Sequence, residues 1–251
     1  MPAKPCLALT FLLIFASNCA RSGEVQVAVA ANFSEPMRRI AVHFEQTSGH
    51  QARLSFGASG KFYAQIRAGA PFDLLLSADQ KIPAALLDEG LALPGTHRTY
   101  ARGRLVLWSA DPQLVGAGPE VLSRPGWRHL AIANPQLAPY GAAAAQAIQA
   151  LGLREVLAAR LVQGENIGQT YQFVATGNAE IGFVAWSQVI GKDGRIASGS
   201  AWLVPATLHQ PILQDLVLLN PARDNPAAHA LLKFLQTPEV IALIRHSGYE
   251  V

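Results

Sequence analysis

Between Glu24 and Ala92 the chain alternates short apolar runs with helix-patterned segments, and this alternation constrains its fold more than any other feature. "EVQVAVAANFSEPM" opens with Val25, Val27 and Val29 alternating with Gln26 and Ala28, the period of a strand. Met37, Ile40, Ala41 and Phe44 then recur at helical spacing behind Ser34 and Pro36, residues that start helices. "GHQARLSF" predicts a second strand and "GKFYAQIRAG" a short helix closed by Gly69. "PFDLLLSAD" is a continuous apolar strand of the kind buried in a parallel sheet, and "KIPAALLDEGLA" is a third helix. Strands and helices in strict alternation predict an α/β domain with a parallel sheet.

A second run of similar size begins after Tyr100. "GRLVLWSA" reads as a strand, "WRHLAIANPQLAPYG" as a strand and turn, and "AAAAQAIQALGL" as an alanine-rich helix. "EVLAARLVQGENIGQTYQFVATGNAE" predicts helix, short strand, turn and helix, and "IGFVAWSQVI" opens as a buried strand. A polar break over Gly191–Ser200 precedes a last strand, "PILQDLVLLN", and "AAHALLKFLQTPEVIALIRHSGY" reads as helical to the end. The expected architecture is α/β and two-lobed, each lobe a mostly parallel sheet flanked by helices. Residues 24–100 plus 206–251 form lobe 1 and residues 101–205 form lobe 2. The chain crosses near Tyr100–Arg104 and returns near Pro205–Pro211.

The first residues, "MPAKPCLALTFLLIFASNCARSG", have the pattern of a signal peptide: Lys4, an apolar run from Leu7 to Ala16, and small residues near the end. The run is too short to span a bilayer. Cleavage is expected after Ala20 or Ser22, within a signal of residues 1–23; a lipid anchor on Cys19 is the alternative, against a poor lipobox. Both cysteines, Cys6 and Cys19, lie in this segment, so the exported remainder has no thiol chemistry. Lys4 and Arg21 are also its only charges, which leaves the remainder nearly neutral despite the basic isoelectric point of the whole chain. Charge therefore gives no argument for nucleic acid or membrane binding.

Ligands of open α/β sheets bind beyond the carboxyl ends of strands, where helices begin. Four strand-to-helix turns are candidates: "AANFSEP" with Asn32 and Ser34, "GASGK" with Ser59, "NPQLAPYG" with Tyr140 and Gly141, and "GENIGQTY" with Asn166, Ile167 and Gly168. "GASGK" is not a nucleotide-binding P-loop, because Gly57 and Gly60 are too close and Phe62 replaces the hydroxyl after Lys61. The four turns instead share amides, hydroxyls and small residues, with no common charge. Helix starts of this kind offer unpaired N–H groups and partial positive charge, which suits a desolvated anion held by neutral donors. Taken singly, Ser34, Ser59 and Asn166 also read as helix caps, and Tyr140 as a packed aromatic.

An enzyme would need a constellation that is missing here. The seven histidines form no H-E-x-x-H pattern, and no G-x-S-x-G elbow occurs. Asp73 and Asp79 read as structural, with Asp79 capping the helix after it. Lys61 reads as solvated, and Glu165 has no identifiable partner. A binding protein without a cofactor is expected.

These stretches resemble the periplasmic molybdate-binding proteins of ABC transporters. The matching text is "VAVAANFSEPM", "SFGASGKFYAQIRAGAPFDLLLSAD", "YARGRLVLWSA", "WRHLAIANPQLAPYG", "GENIGQTYQFVATGNAEIGFVA" and "IRHSGY", covering nearly all of the chain after the signal. The resemblance implies a type II periplasmic-binding-protein fold that closes on molybdate or tungstate and serves a permease in the inner membrane, as a monomer. Carried over position by position, it implies contacts from Asn32, where many members have serine, and from Ala31, where some have a threonine hydroxyl. Ser59 would contribute hydroxyl and N–H, and Tyr140 and Ile167 backbone N–H groups. Some members place a tyrosine hydroxyl in the cleft where this chain has Ala185. A sulfate or thiosulfate binder is the alternative within the same chemistry.

Overall fold

The computed structural model describes residues 22–191 and 193–251. The signal-peptide reading, with Cys6 and Cys19, falls almost wholly outside them. The first run forms as its periodicity predicts. β1 (Glu24–Ala30) leads through a short 3-10 turn, Ala31–Phe33, into α1 (Ser34–Ser48). β2 (Gln51–Gly57) leads into α2 (Ser59–Arg67), and β3 (Leu74–Leu76) is followed by α3 (Lys81–Asp88) and β4 (Arg98–Gly103). The second run comprises β5 (Leu105–Ser109), β6 (Leu130–Ala133), α4 (Pro139–Ala150), α5 (Arg154–Leu157), β7 (Leu161–Gly164), α6 (Ile167–Ala175), β8 (Ile181–Ala185), α7 (Trp186–Val189) and β9 (Ser200–Leu203). β10 (Ile212–Leu218), α8 (Pro226–Phe234) and α9 (Pro238–His246) complete the described chain.

The strands build two five-stranded sheets, ordered β2-β1-β3-β10-β4 and β7-β6-β8-β5-β9. β1 pairs in parallel with β2 and β3, and β6 with β7 and β8. β10 runs antiparallel to β3 and β4, and β5 antiparallel to β8 and β9. Each sheet is therefore mostly parallel, as expected, with four strands running one way and one antiparallel strand among them. In each sheet the antiparallel element is a strand that starts at a crossing between the sheets and so enters from the opposite end. Only Arg104 separates β4 in the first sheet from β5 in the second, and residues 204–211 carry the chain back from β9 to β10.

Both faces of β1 are covered. Val25, Val27 and Val29 are fully buried in one cluster with Met37, Ile40 and Phe44 of α1 and Leu231 of α8. Ala28 points the other way, into a cluster with Phe62 and Ile66 of α2. Each large apolar side chain removed from water contributes roughly 1.5–3 kcal/mol, so the alternation read in the sequence is also what clamps β1 between two helical layers.

Two elements differ from expectation. The terminal helical run is broken at Thr237, which is extended (ψ 149°), because the ring of Pro238 bars the residue before it from helical geometry. β9 pairs with β5 along "SAWL" at the edge of the second sheet, a run too short to display a strand period.

Candidate functional site

The four candidate turns leave the carboxyl ends of β1, β2, β6 and β7, and all four line one cavity. Its walls are Ala30, Ala31 and Asn32; Gly57, Ala58 and Ser59; Ala138, Pro139 and Tyr140; Asn166 and Ile167; and Ala78 beyond β3. The space between them is ≈ 200 Å³, including its opening to solvent. Among the described residues, no acidic or basic side chain lines it. Every residue proposed from the sequence as an anion contact, Ala31, Asn32, Ser59, Tyr140 and Ile167, is among these walls, whereas Ser34, Gly141 and Gly168 from the same turns are not.

Local structure explains the donors. Ser59 and Ile167 are the first residues of α2 and α6, and Tyr140 is the second of α4, after Pro139. Amides at these positions have no carbonyl one turn back to bond. Each helix start adds the equivalent of about half a positive charge, unscreened by any counter-charge in the wall. The Ser59 hydroxyl accepts from the Ala78 amide at 3.0 Å, which fixes its oxygen and leaves its proton to donate. Gly141 lets α4 start this close to β6: a Cβ there would lie 2.2 Å from the Ala133 carbonyl oxygen. Asn166 caps α6, its Oδ1 accepting from the Gln169 amide at 3.0 Å, so its cap reading holds. Ser34 does not cap; its hydroxyl donates to the Ala31 carbonyl at 2.8 Å.

Asn32 is the polar side chain whose placement is least expected. It is buried, and its Nδ2 donates to Gln214 Oε1 at 2.8 Å and to the Tyr249 hydroxyl at 3.0 Å. Its Oδ1 is buried without a partner among the described residues. The Tyr100 hydroxyl also donates to Gln214 Oε1, at 3.0 Å, and Gln214 Nε2 donates to the Tyr140 hydroxyl at 3.2 Å. The Tyr249 hydroxyl lies 2.7 Å from the Asn32 carbonyl and 2.9 Å from the Ser187 hydroxyl. Burial, above all, pushes the hydroxyls of Tyr100, Tyr140 and Tyr249 up from the usual phenol range, so all three remain protonated partners at neutral pH.

A family model described as bacterial extracellular solute-binding protein matches residues 25–250. The chain belongs to that family. It is 52% identical over 230 residues to the molybdate-binding protein ModA of Azotobacter vinelandii, covering 92% of this chain and 91% of that protein. It is likewise 52% identical over 230 residues to ModA of Rhodobacter capsulatus, with 92% and 89% covered. The solved structure of the Azotobacter vinelandii periplasmic molybdate-binding protein superposes with a TM-score of 0.88 at 41% identity, covering 90% of this chain and 99% of that one. The resemblance read from the motifs therefore holds, as does the two-lobed fold it implied. As a member of the extracellular solute-binding family the protein is extracytoplasmic, and its relatives are named as binding proteins, not enzymes.

In this solute-binding fold the two sheets meet across the cavity through direct bonds. The Gly60 amide donates to the Leu137 carbonyl at 2.9 Å, and the Ser187 hydroxyl to the Asn32 carbonyl at 3.1 Å. Lys61 Nζ lies 2.5 Å from Glu165 Oε1. Lys61 is thus paired, not merely solvated, and Glu165 has the partner that the sequence did not reveal. Asp79 accepts from the Ile82 amide at 2.8 Å and Asp73 from the Gln26 amide at 2.7 Å, the structural roles expected of both. Ala185 lies outside the cavity wall, its amide bonded to Gln188 Oε1 at 2.9 Å. Sequence reasoning missed Gln214, Tyr100, Tyr249 and Ser187. Gln214 and Tyr249 lie 182 and 217 residues from Asn32, so no spacing pattern could have joined them.

Proposed function

We propose that the protein captures molybdate, and tungstate, in the cavity between its sheets and delivers it to the permease of an ABC transporter in the inner membrane. The observation that carries this reading is the convergence of helix starts and neutral donors from both sheets on one cavity without a charged side chain. A dianion there gathers donors from both lobes, so it favours the closed form over the open one by its differential contacts. The names of the relatives at 52% identity support molybdate as the ligand. We place the protein in the periplasm, exported by residues 1–23, acting as a monomer, with no cofactor and no nucleic-acid partner. The division into residues 24–100 plus 206–251 and residues 101–205 belongs to the same reading, the two lobes moving about the crossings.

Selectivity follows from fixed donors. Sulfate is smaller and cannot reach every donor at once. Phosphate carries a proton near neutral pH, and a wall that only donates leaves that proton unpaired. Calorimetric titration of the chain from Glu24 with molybdate, tungstate, sulfate and phosphate tests this. Tight one-to-one binding of the first two, with weak sulfate and no phosphate, is the expected result. Equal sulfate binding would make the protein a broader oxyanion carrier, and no binding by any of the four would overturn the reading.

A further inference from the structure

Asn32 is part of the cavity wall, yet its amide offers no free proton to an anion. Both Nδ2 protons are directed into the protein, at Gln214 and Tyr249, and the other arm of the same amide is an acceptor with no partner. A buried, unpartnered acceptor is unfavourable by itself, and beside a dianion it is repulsive. The arrangement around it admits a second set of hydrogen bonds on the same heavy atoms. The oxygen and nitrogen of a carboxamide have nearly the same size, and only their partners fix which is which.

We propose that Gln214 is the positioning residue that decides which end of the Asn32 carboxamide meets the anion, and that ligand binding goes with a concerted turnover of both amides. The proposal rests on the oxyanion reading above. With Gln214 turned over, its nitrogen donates to Asn32 at the 2.8 Å contact and to the Tyr100 hydroxyl at the 3.0 Å contact. The Tyr100 proton goes to the Ser77 carbonyl, 3.2 Å away. The Tyr140 hydroxyl, 3.2 Å from the other arm of Gln214, changes from acceptor to donor. Asn32 Oδ1 then accepts from Gln214 and, once the Tyr249 proton turns to it from the Asn32 backbone carbonyl, from the Tyr249 hydroxyl; that carbonyl keeps the Ser187 hydroxyl at 3.1 Å, and Nδ2 takes the place of the orphan and is free for the anion. No heavy atom moves beyond the exchange of O and N, and every member is satisfied. Gln214 also sits on β10 at a break in its register with β4, just inside the second crossing, and its two arms touch residues of both sheets. The amide that orients Asn32 is therefore also attached to the hinge.

Calorimetry on the parent, Asn32→Ala, Gln214→Met and the double variant, each first shown to unfold cooperatively, tests the coupling. Loss of one hydrogen bond to a charged ligand weakens binding roughly 10- to 100-fold, and both single variants should fall in that range. The double variant should bind no more weakly than Asn32→Ala, because Gln214 acts only through the arm already removed. Multiplying losses in the double variant, or an unchanged Gln214→Met, would overturn the inference. Should Gln214→Met not fold, Gln214→Leu replaces it in the same cycle, since it likewise removes both arms of the amide. A parent that binds no oxyanion would instead overturn the function itself, which separates the two failures.

Discussion

Lys61 and Glu165 meet at 2.5 Å across the mouth of the cleft, Lys61 on the helix after β2 and Glu165 in the turn after β7 of the other sheet. Each side chain is about half exposed (52% and 46%), so the pair belongs to the class of surface ion pairs that contributes about 0.2–1 kcal/mol. On the closure proposed above, the bond forms only when the lobes are together, and that gives its small energy a functional role. Lys61→Ala should weaken molybdate binding by no more than about fivefold, mainly through faster release, with the difference disappearing in high salt. Glu165→Gln should have a matching effect, and exchanging the two charges should restore the parent rate in stopped-flow release. A much larger loss for Lys61→Ala, with Glu165→Gln unchanged, would mean that Lys61 contacts the anion itself.

Ser59 is buried, and its hydroxyl is held by the Ala78 amide while its proton remains available. On the proposed contact set, Ser59→Ala removes a donor to the anion, and it strands the Ala78 N–H. Molybdate affinity should fall roughly 10- to 100-fold, the range for a hydrogen bond to a charged group. Titration of the variant at neutral pH checks this; an affinity equal to the parent's would remove Ser59 from the donor set.

Tyr140 separates ring from backbone. Its N–H belongs to the first turn of α4, at the cavity wall, while its hydroxyl meets Gln214 Nε2 at 3.2 Å. Tyr140→Phe leaves an arm of Gln214 unpaired and should lower stability by about 1–3 kcal/mol, seen in thermal unfolding. Because the hydroxyl pairs with Gln214 in either amide orientation, anion affinity should hardly change. Abolished binding with unchanged stability would assign the hydroxyl to the ligand.

The carboxyl of Asp79 is pushed above the usual value chiefly by burial, against the opposing bond from the Ile82 amide. A carboxyl raised on folding contributes stability at low pH that is lost as pH rises through its folded pKa. At pH 7 the fold therefore holds Asp79 charged at a cost. Asp79→Asn, which can still accept from Ile82, should unfold at a higher temperature than the parent at pH 7. The gap should close below about pH 4, where the parent carboxyl is protonated in both states. A variant less stable than the parent at pH 7 would show that the charge is itself favourable there.

Much of the site was legible from the chain alone. The strand period of Val25–Val29, the apolar run Leu74–Leu76 and the Asn166 cap are decided by neighbours a few residues apart, and so are the unpaired amides of Ser59 and Ile167 at their helix starts; Ser34 and Ser59, read as caps, make no capping bond. Tertiary structure decided the rest, for one physical reason. Local pattern sets which atoms are left unsatisfied, and only packing between distant segments sets what satisfies them. The crossings set one antiparallel strand, β10 or β5, inside each otherwise parallel sheet. Lys61 found Glu165 only because β2 and β7 end on the same cleft. The direction of the Asn32 amide, the feature on which an anion would depend most, is set by Gln214 and Tyr249, residues 182 and 217 positions away.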